Sequence, residues 1–142
     1  RDYFSKARID CFELDKKKIE LARRQKLRNV HYHYIDVNKP EIITKQFNKV
    51  NKKFDIIIDD STHEFEHQIN IIKNTHKYIK EGGHLVIEDI YRFKKGHEES
   101  RYFEKLKNLR KIFSKIVFID ATHVNNFTAS WKCEKILLLT KK

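Results

Sequence analysis

The chain has 142 residues, enough for one domain with its own core, and its 39% hydrophobic content is that of a soluble globular chain. No apolar run reaches membrane-spanning length, and two cysteines, Cys11 and Cys133, without CxxC spacing argue against a zinc site or a disulfide framework. The net charge of +11 would suit an acidic partner, but the lysines are spread along the chain and no aromatic-basic interleaving occurs, so nucleic acid is a minority expectation.

Ala7–Glu13 reads as a strand and Lys16–Leu27 as a helix. Val30–Ile35 alternates like a strand, and Pro40–Val50 is helical, with Pro40 at a first-turn position that has no N–H to satisfy. Phe54–Asp59 (FDIIID) is a continuous apolar run, as expected for a strand buried on both faces. The next helix is predicted from Glu64 to Ile79, with Phe65, Ile69, Ile72, His76 and Ile79 on one face. Glu81-Gly82-Gly83 is expected to stop it. His84–Glu88 is a further strand. Glu98–Phe113 is predicted helical, with Tyr102, Leu106, Leu109 and Phe113 as its stripe. Lys115–Ile119 and Lys135–Thr140 are joined by a polar, turn-like segment, Asp120–Trp131, and are expected to form an antiparallel edge pair. Strand–helix alternation with short connections predicts a single α/β domain over residues 1–142 with a mainly parallel sheet.

Ligands of open α/β sheets bind at the carboxyl ends of the strands. Those ends carry Glu13 and Asp15, then Asp36, then Asp59 and Asp60, then Glu88 and Asp89. One carboxylate at such a place can simply cap the next helix, and Asp15 fits that role. Acids at four successive ends converge on one rim, where a cation or hydrogen bonds must offset their repulsion. Glu13 is placed to accept from both ribose hydroxyls of an adenosine-type cofactor. Asp36 fits an adenine amino group and an Asx-type turn before Pro40 equally well.

Asp60-Ser61-Thr62-His63 follows a strand and precedes a helix, so a carboxylate and an imidazole can face one pocket. The plainer alternative makes Ser61 or Thr62 a helix cap and His63 a surface residue. His67 and Gln68 follow on the first helical turn, and His67 reads as structural. Glu88 and Asp89 would point to opposite faces of a regular strand, so they converge only if the strand ends there and the chain turns. With Asp60 they then supply three hard oxygen ligands, which suit Mg²⁺ rather than zinc or copper.

FDIIIDDSTHEFEHQ followed by GGHLVIEDIYR resembles the metal-dependent sugar O-methyltransferases of macrolide biosynthesis, typified by the macrocin and mycinamicin O-methyltransferases. The same class I group includes cephalosporin hydroxylase-like proteins. The group's pattern runs Asp-Asp-Gly-Ser-His, then His-Gln, then Gly-Gly and Glu-Asp. Here Ser61 stands for the Gly and Thr62 for the Ser. RDYFSKARIDCFELD is similar to the first helix and second strand of that fold, and KILLLTKK to its last strand.

The resemblance implies a Rossmann-like class I methyltransferase fold with an antiparallel last strand. Its strand order would be 3-2-(1)-4-5-7-6 in the numbering of the complete fold. Strand one and its glycine-rich cofactor loop have no counterpart in the sequence, so the chain is expected to be part of a longer protein and inactive alone. The resemblance also implies S-adenosylmethionine as methyl donor, with Glu13 on the ribose, Asp36 at the adenine end and Asp59 on the cofactor side. Asp60, Glu88 and Asp89 would bind Mg²⁺, with His63 as general base. The acceptor would be a sugar or another small hydroxylated metabolite.

Two rival readings remain. A degenerate, non-catalytic domain that binds a partner or nucleic acid has no need of the retained Asp60, His63, Glu88 and Asp89. An RNA cap or ribose methyltransferase would place a lysine beside Asp59, and none stands there. The cysteine usage fits a reducing cytoplasm, no membrane attachment is expected, and homo-oligomerisation is left open.

Overall fold

Each helix in the first half of the chain begins within a few residues of a strand end. In the computed structural model, which describes residues 6–91, 94–120 and 135–142, β1 (Ile9–Glu13) leads into α1 (Lys16–Arg24) and β2 (Val30–Tyr34) into α2 (Pro40–Val50). β3 (Phe54–Asp59) leads into α3 (Phe65–Thr75) and β4 (Ile79–Ile90) precedes α4 (Glu99–Lys105). β5 (Phe113–Asp120) and β6 (Lys135–Lys141) come last. Asp15 caps α1, its Oδ1 accepting from Lys17 N at 2.8 Å and Lys18 N at 3.4 Å. Pro40 opens α2, and Asn51 closes it in the left-handed conformation at φ 50°.

Two boundaries differ from the sequence expectation. α3 ends at Thr75, whose hydroxyl donates back to Ile71 O at 2.7 Å, and a 3-10 turn (His76–Tyr78) delivers the chain directly into β4. The glycine pair therefore lies inside β4 and does not terminate the helix. Gly82 takes φ +73°, and a Cβ on Gly83 would stand 2.8 Å from the Asp55 carbonyl. The glycines absorb the register shift between Phe54↔Ile79 and Ile56↔His84. The expected helix Glu98–Phe113 is α4 followed by a 3-10 segment, Lys107–Ile112. Tyr102, Leu106 and Phe113 of its stripe are buried, as expected.

The strands form a parallel pair, β1-β2, and a four-stranded sheet in the order β3-β4-β6-β5. β3 and β4 are parallel, and β6 is antiparallel to both β4 and β5. In the numbering of the complete fold this is 3-2 and then 4-5-7-6, the expected order, and no strand among the described residues stands in the place of strand one. The Phe47 ring of α2 joins the two sheets. It stacks on Phe12 of β1 (4.6 Å, 1°) and meets Phe54 of β3 edge-on at 5.7 Å.

The core lies on one face of the four-stranded sheet. Leu85, Ile87, Leu137 and Leu139 are fully buried there with Ile72, Tyr102 and Leu106. Burial on this scale contributes about 1.5–3 kcal/mol per large apolar side chain. The opposite face is open at β3, which corrects the expectation for FDIIID. Ile56 and Ile58 are 49% and 59% exposed, because nothing among the described residues packs on that side of β3. Cys11 lies on β1 with a free thiol whose pKa burial pushes up. Cys133 and the connection 121–134 lie outside the described residues.

Candidate active site

The Asp60–His63 turn and the end of β4 come together across the β3–β4 ladder. Asp59 pairs with Ile87, so each strand enters its functional segment at the same level. β4 does not stop at Glu88 as the sequence reading required. Its pairing with β6 runs Ile87↔Leu137 and then Ile90↔Lys135, so Glu88 and Asp89 together oppose Ile136 alone. This is a β-bulge, and Asp89 within it has φ 51°. One left-handed residue breaks the alternation of side chains, so the acidic pair is re-aimed while the strand continues to Ile90.

His63 is also left-handed, at φ 58°. Such a conformation costs a non-glycine residue on the order of 1–3 kcal/mol, and it persists only where the surroundings enforce it. Ser61, which stands for the glycine of the resembling group, has no positive φ, so the substitution leaves the turn unstrained.

Ligand atoms of Asp60, His63 and Asp89 all lie within 4.8 Å of one another. His63 Nε2 is 3.7 Å from Asp89 Oδ2, too far for a hydrogen bond. His63 Nδ1 is buried and has no partner among the described residues. Glu88 stands outside this group, yet its carboxyl is pushed above the usual range, first by burial and then by Asp60, Asp89 and Asp59. Crowded acids of this kind favour protonation or a cation.

Asp59 is 6% exposed and sits beneath the turn. Burial raises its pKa against a hydrogen bond from Ser61, and its Oδ2 has no partner among the described residues. Asp60 and Asp89 offer two hard oxygen donors beside the His63 imidazole, a set that would suit a divalent cation such as Mg²⁺.

The two acids assigned to the cofactor's adenosine end lie on the β1-β2 side. Glu13 Oε1 accepts from Asp15 N at 2.8 Å and braces the turn into α1. Asp36 makes the Asx turn, accepting from Asn38 N at 3.1 Å, and pairs with Lys39 at 3.1 Å. Lys39 holds its carboxyl below the usual range. Both acids thus have structural partners, and the side chains remain at the strand ends. Neither Ser61 nor Thr62 caps α3, whose N-cap is Glu64.

Two polar residues had no assigned role in the sequence reading. Asn38 receives His67 Nε2 at 3.1 Å while His67 Nδ1 meets Thr62 Oγ1 at 2.7 Å, a bridge from the β2–α2 turn to the β3–α3 turn. Gln68 is buried against the bulge itself. The only signal for the second in the sequence was a glutamine after His67 on the first turn of an amphipathic helix.

Strand order, helices alternating with parallel strands, and acids at the strand ends are those of a Rossmann-like class I methyltransferase fold. The chain belongs to the methyltransferase-domain family, which it matches over residues 2–90. A comparison with curated protein sequences finds no match. Among solved structures it is similar to the MycE methyltransferase of the mycinamycin biosynthetic pathway, in complex with Mg, SAH and mycinamycin VI. That match has TM-score 0.59 and 19% identity over 94% of this chain and 36% of that one. It is also similar to Aeropyrum pernix fibrillarin with natively bound S-adenosyl-L-methionine, at TM-score 0.62 and 16% identity over 93% of this chain and 55% of that one. The N-methyltransferase NodS of Bradyrhizobium japonicum matches at TM-score 0.55 and 17% identity, over 94% and 72% of the two chains. At these identities the likeness is one of fold, and this chain spans about a third of the MycE chain.

Proposed function

We propose that this domain belongs to an S-adenosylmethionine-dependent O-methyltransferase that uses Mg²⁺ and acts on a sugar or another small hydroxylated metabolite. The observation that carries the reading is the Asp60–His63–Asp89 group, gathered within 4.8 Å by two left-handed residues. The MycE structure with Mg, SAH and a mycinamycin adds support for an ion and a small-molecule acceptor. Because this chain spans 36% of that one, the activity is proposed for the whole protein.

Asp60 and Asp89 are the oxygen donors for the ion, with Glu88 beside them as the third. The ion, when bound, lowers the pKa of an acceptor hydroxyl and orients it. His63 receives the hydroxyl proton at Nε2, the ring nitrogen that faces Asp89. S-adenosylmethionine, when bound, would supply the electrophilic methyl group for that oxygen. Glu13 accepts from the ribose hydroxyls, Asp36 from the adenine end, and Asp59 supports the cofactor side from beneath the turn. Base catalysis of this type contributes about 10²–10⁴-fold.

The test is Asp89→Asn in the whole protein. Mg²⁺-dependent methyl transfer to a sugar or polyhydroxylated acceptor is expected to vanish while the S-adenosylmethionine Kd stays within about twofold. Turnover that is indifferent to EDTA and survives Asp89→Asn would rule out the metal half of this reading.

A further inference from the structure

We propose that Gln68 is a positioning residue. Its buried amide holds the Glu88 carbonyl in the β4 bulge and so keeps Asp89 left-handed and facing Asp60 and His63. The inference rests on the reading above for one of its two readouts and on the bulge geometry for the other.

The Glu88 carbonyl lies where the β4–β6 ladder breaks, between the Ile87 and Ile90 registers. A carbonyl at a register break stands off the regular ladder and needs a donor from elsewhere. Gln68 Nε2 donates to it at 3.1 Å. Gln68 is 1% exposed and comes from α3, the helix that follows the His63 turn, so the bond ties the two halves of the Asp60–His63–Asp89 group together.

The direction of the amide is forced. A backbone carbonyl only accepts, so the NH₂ end must face Glu88. The oxygen end then accepts a hydrogen bond from Tyr102, whose hydroxyl lies 2.6 Å from Gln68 Oε1. Tyr102 is fully buried, and its burial keeps that proton on the oxygen by raising the pKa. His97, itself buried, stands 3.5 Å beyond. The bulge is thus fixed through Gln68 and Tyr102 from α3 and α4. Partners behind a metal ligand set its orientation, and their loss typically weakens metal binding about 10–100-fold.

The experiment compares Gln68→Met, Tyr102→Phe and the control Thr75→Val. Thr75 is equally buried on α3, but its hydroxyl bonds only within the helix. The first readout is the Asp89 backbone torsion from ¹³C and ¹⁵N chemical shifts, taken without metal. The second is Mn²⁺ affinity by electron paramagnetic resonance. Gln68→Met is expected to move Asp89 out of the left-handed region and to raise the Mn²⁺ Kd about 10–100-fold. Tyr102→Phe should do the same to a smaller extent, and it decides the matter alone if Gln68→Met does not fold. Thr75→Val should lower stability and leave both readouts in place. An unchanged Asp89 torsion in Gln68→Met, or an equal shift in Thr75→Val, would overturn the proposal. A protein that binds no Mn²⁺ at all would defeat the metal reading, and the Asp89 torsion would still decide the role of Gln68.

Discussion

The two sheets carry two halves of the candidate site, and they hold their acids in opposite electrostatic states. On the β1-β2 side every described acid near the strand ends has a partner. Asp36 has Lys39 and the Asn38 N–H, and its carboxyl is held below the usual range. On the β3–β4 side the acids face each other, and Glu88 and Asp59 are both pushed up, with burial the larger cause in each. Lowered acids are already satisfied by the fold. Raised, clustered acids mark the place where the fold is incomplete without a proton or a cation. The mechanical contrast runs the same way. The four-stranded sheet is braced by apolar side chains with no exposure, whereas no apolar residue of β1 or β2 is fully buried.

That contrast predicts where the molecule opens first. Phe47 is 3% exposed and is the ring against which both Phe12 and Phe54 pack. Phe47→Ala should cost about 3–5 kcal/mol, as truncation of a buried aromatic does. The loss should appear first in the β1-β2 pair. Hydrogen exchange is the check, with amides of Ile9–Tyr34 becoming labile while those of Leu85 and Leu137 stay protected. Uniform acceleration in both sheets would show that they form one cooperative unit and would remove the mechanical half of the comparison.

The chemical half is sharpened by His63. In the whole protein His63→Ala should lower kcat by about 10²-fold or more. The S-adenosylmethionine Kd should barely move, because the imidazole faces Asp89 and not the β1-β2 side. Activity should return in part at high pH, where more of the acceptor hydroxyl ionises unaided. His67→Ala should act through stability alone, since His67 is engaged with Thr62 and Asn38. A His63→Ala enzyme with normal kcat at neutral pH would reduce His63 to a turn residue.

The strands were legible in the sequence because apolar runs and short connections mark them, and their order followed from the family resemblance. Asp15 as a helix cap, Asp36 as an Asx turn and the antiparallel pairing of β5 with β6 follow from local residue chemistry. What escaped is set by partners distant in sequence. Gly82-Gly83 resembles a helix stop, and only the approach of Asp55 to Gly83 shows it to be a strand kink. Glu88-Asp89 looks incompatible with a continuing strand until the register against β6 reveals a bulge. The openness of Ile56 and Ile58 is invisible to a period-based reading, which counts apolar residues but not what covers them. Gln68 reads as one polar residue on an apolar helix, and its role depends on a carbonyl twenty residues away.

The smallest expected effect tests the satisfied side, at an acid the sequence reading passed over. The Asp10 side chain is 1% exposed on β1. It accepts from Arg8 Nε at 2.7 Å and Arg8 Nη2 at 2.9 Å, and His33 Nε2 lies 2.7 Å from its Oδ1. Burial alone would raise its pKa, but the bonds from Arg8 and His33 outweigh it and hold the carboxyl below 3.8. The folded chain therefore binds fewer protons at this group than the unfolded chain does in the same acidic range. The stabilisation is whole above pH about 4 and is lost as pH falls through the folded value. Asp10→Asn preserves volume but offers one acceptor oxygen and turns an NH₂ toward other donors. It should cost about 1–2 kcal/mol at pH 7. The difference from the unaltered protein should shrink in urea titrations carried to pH 3 and below, because there the native carboxyl is itself being protonated. A difference that stays constant from pH 7 to the acid limit would mean that packing, not charge, holds Arg8 and His33. The β1-β2 side would then have no electrostatic advantage over β3–β4.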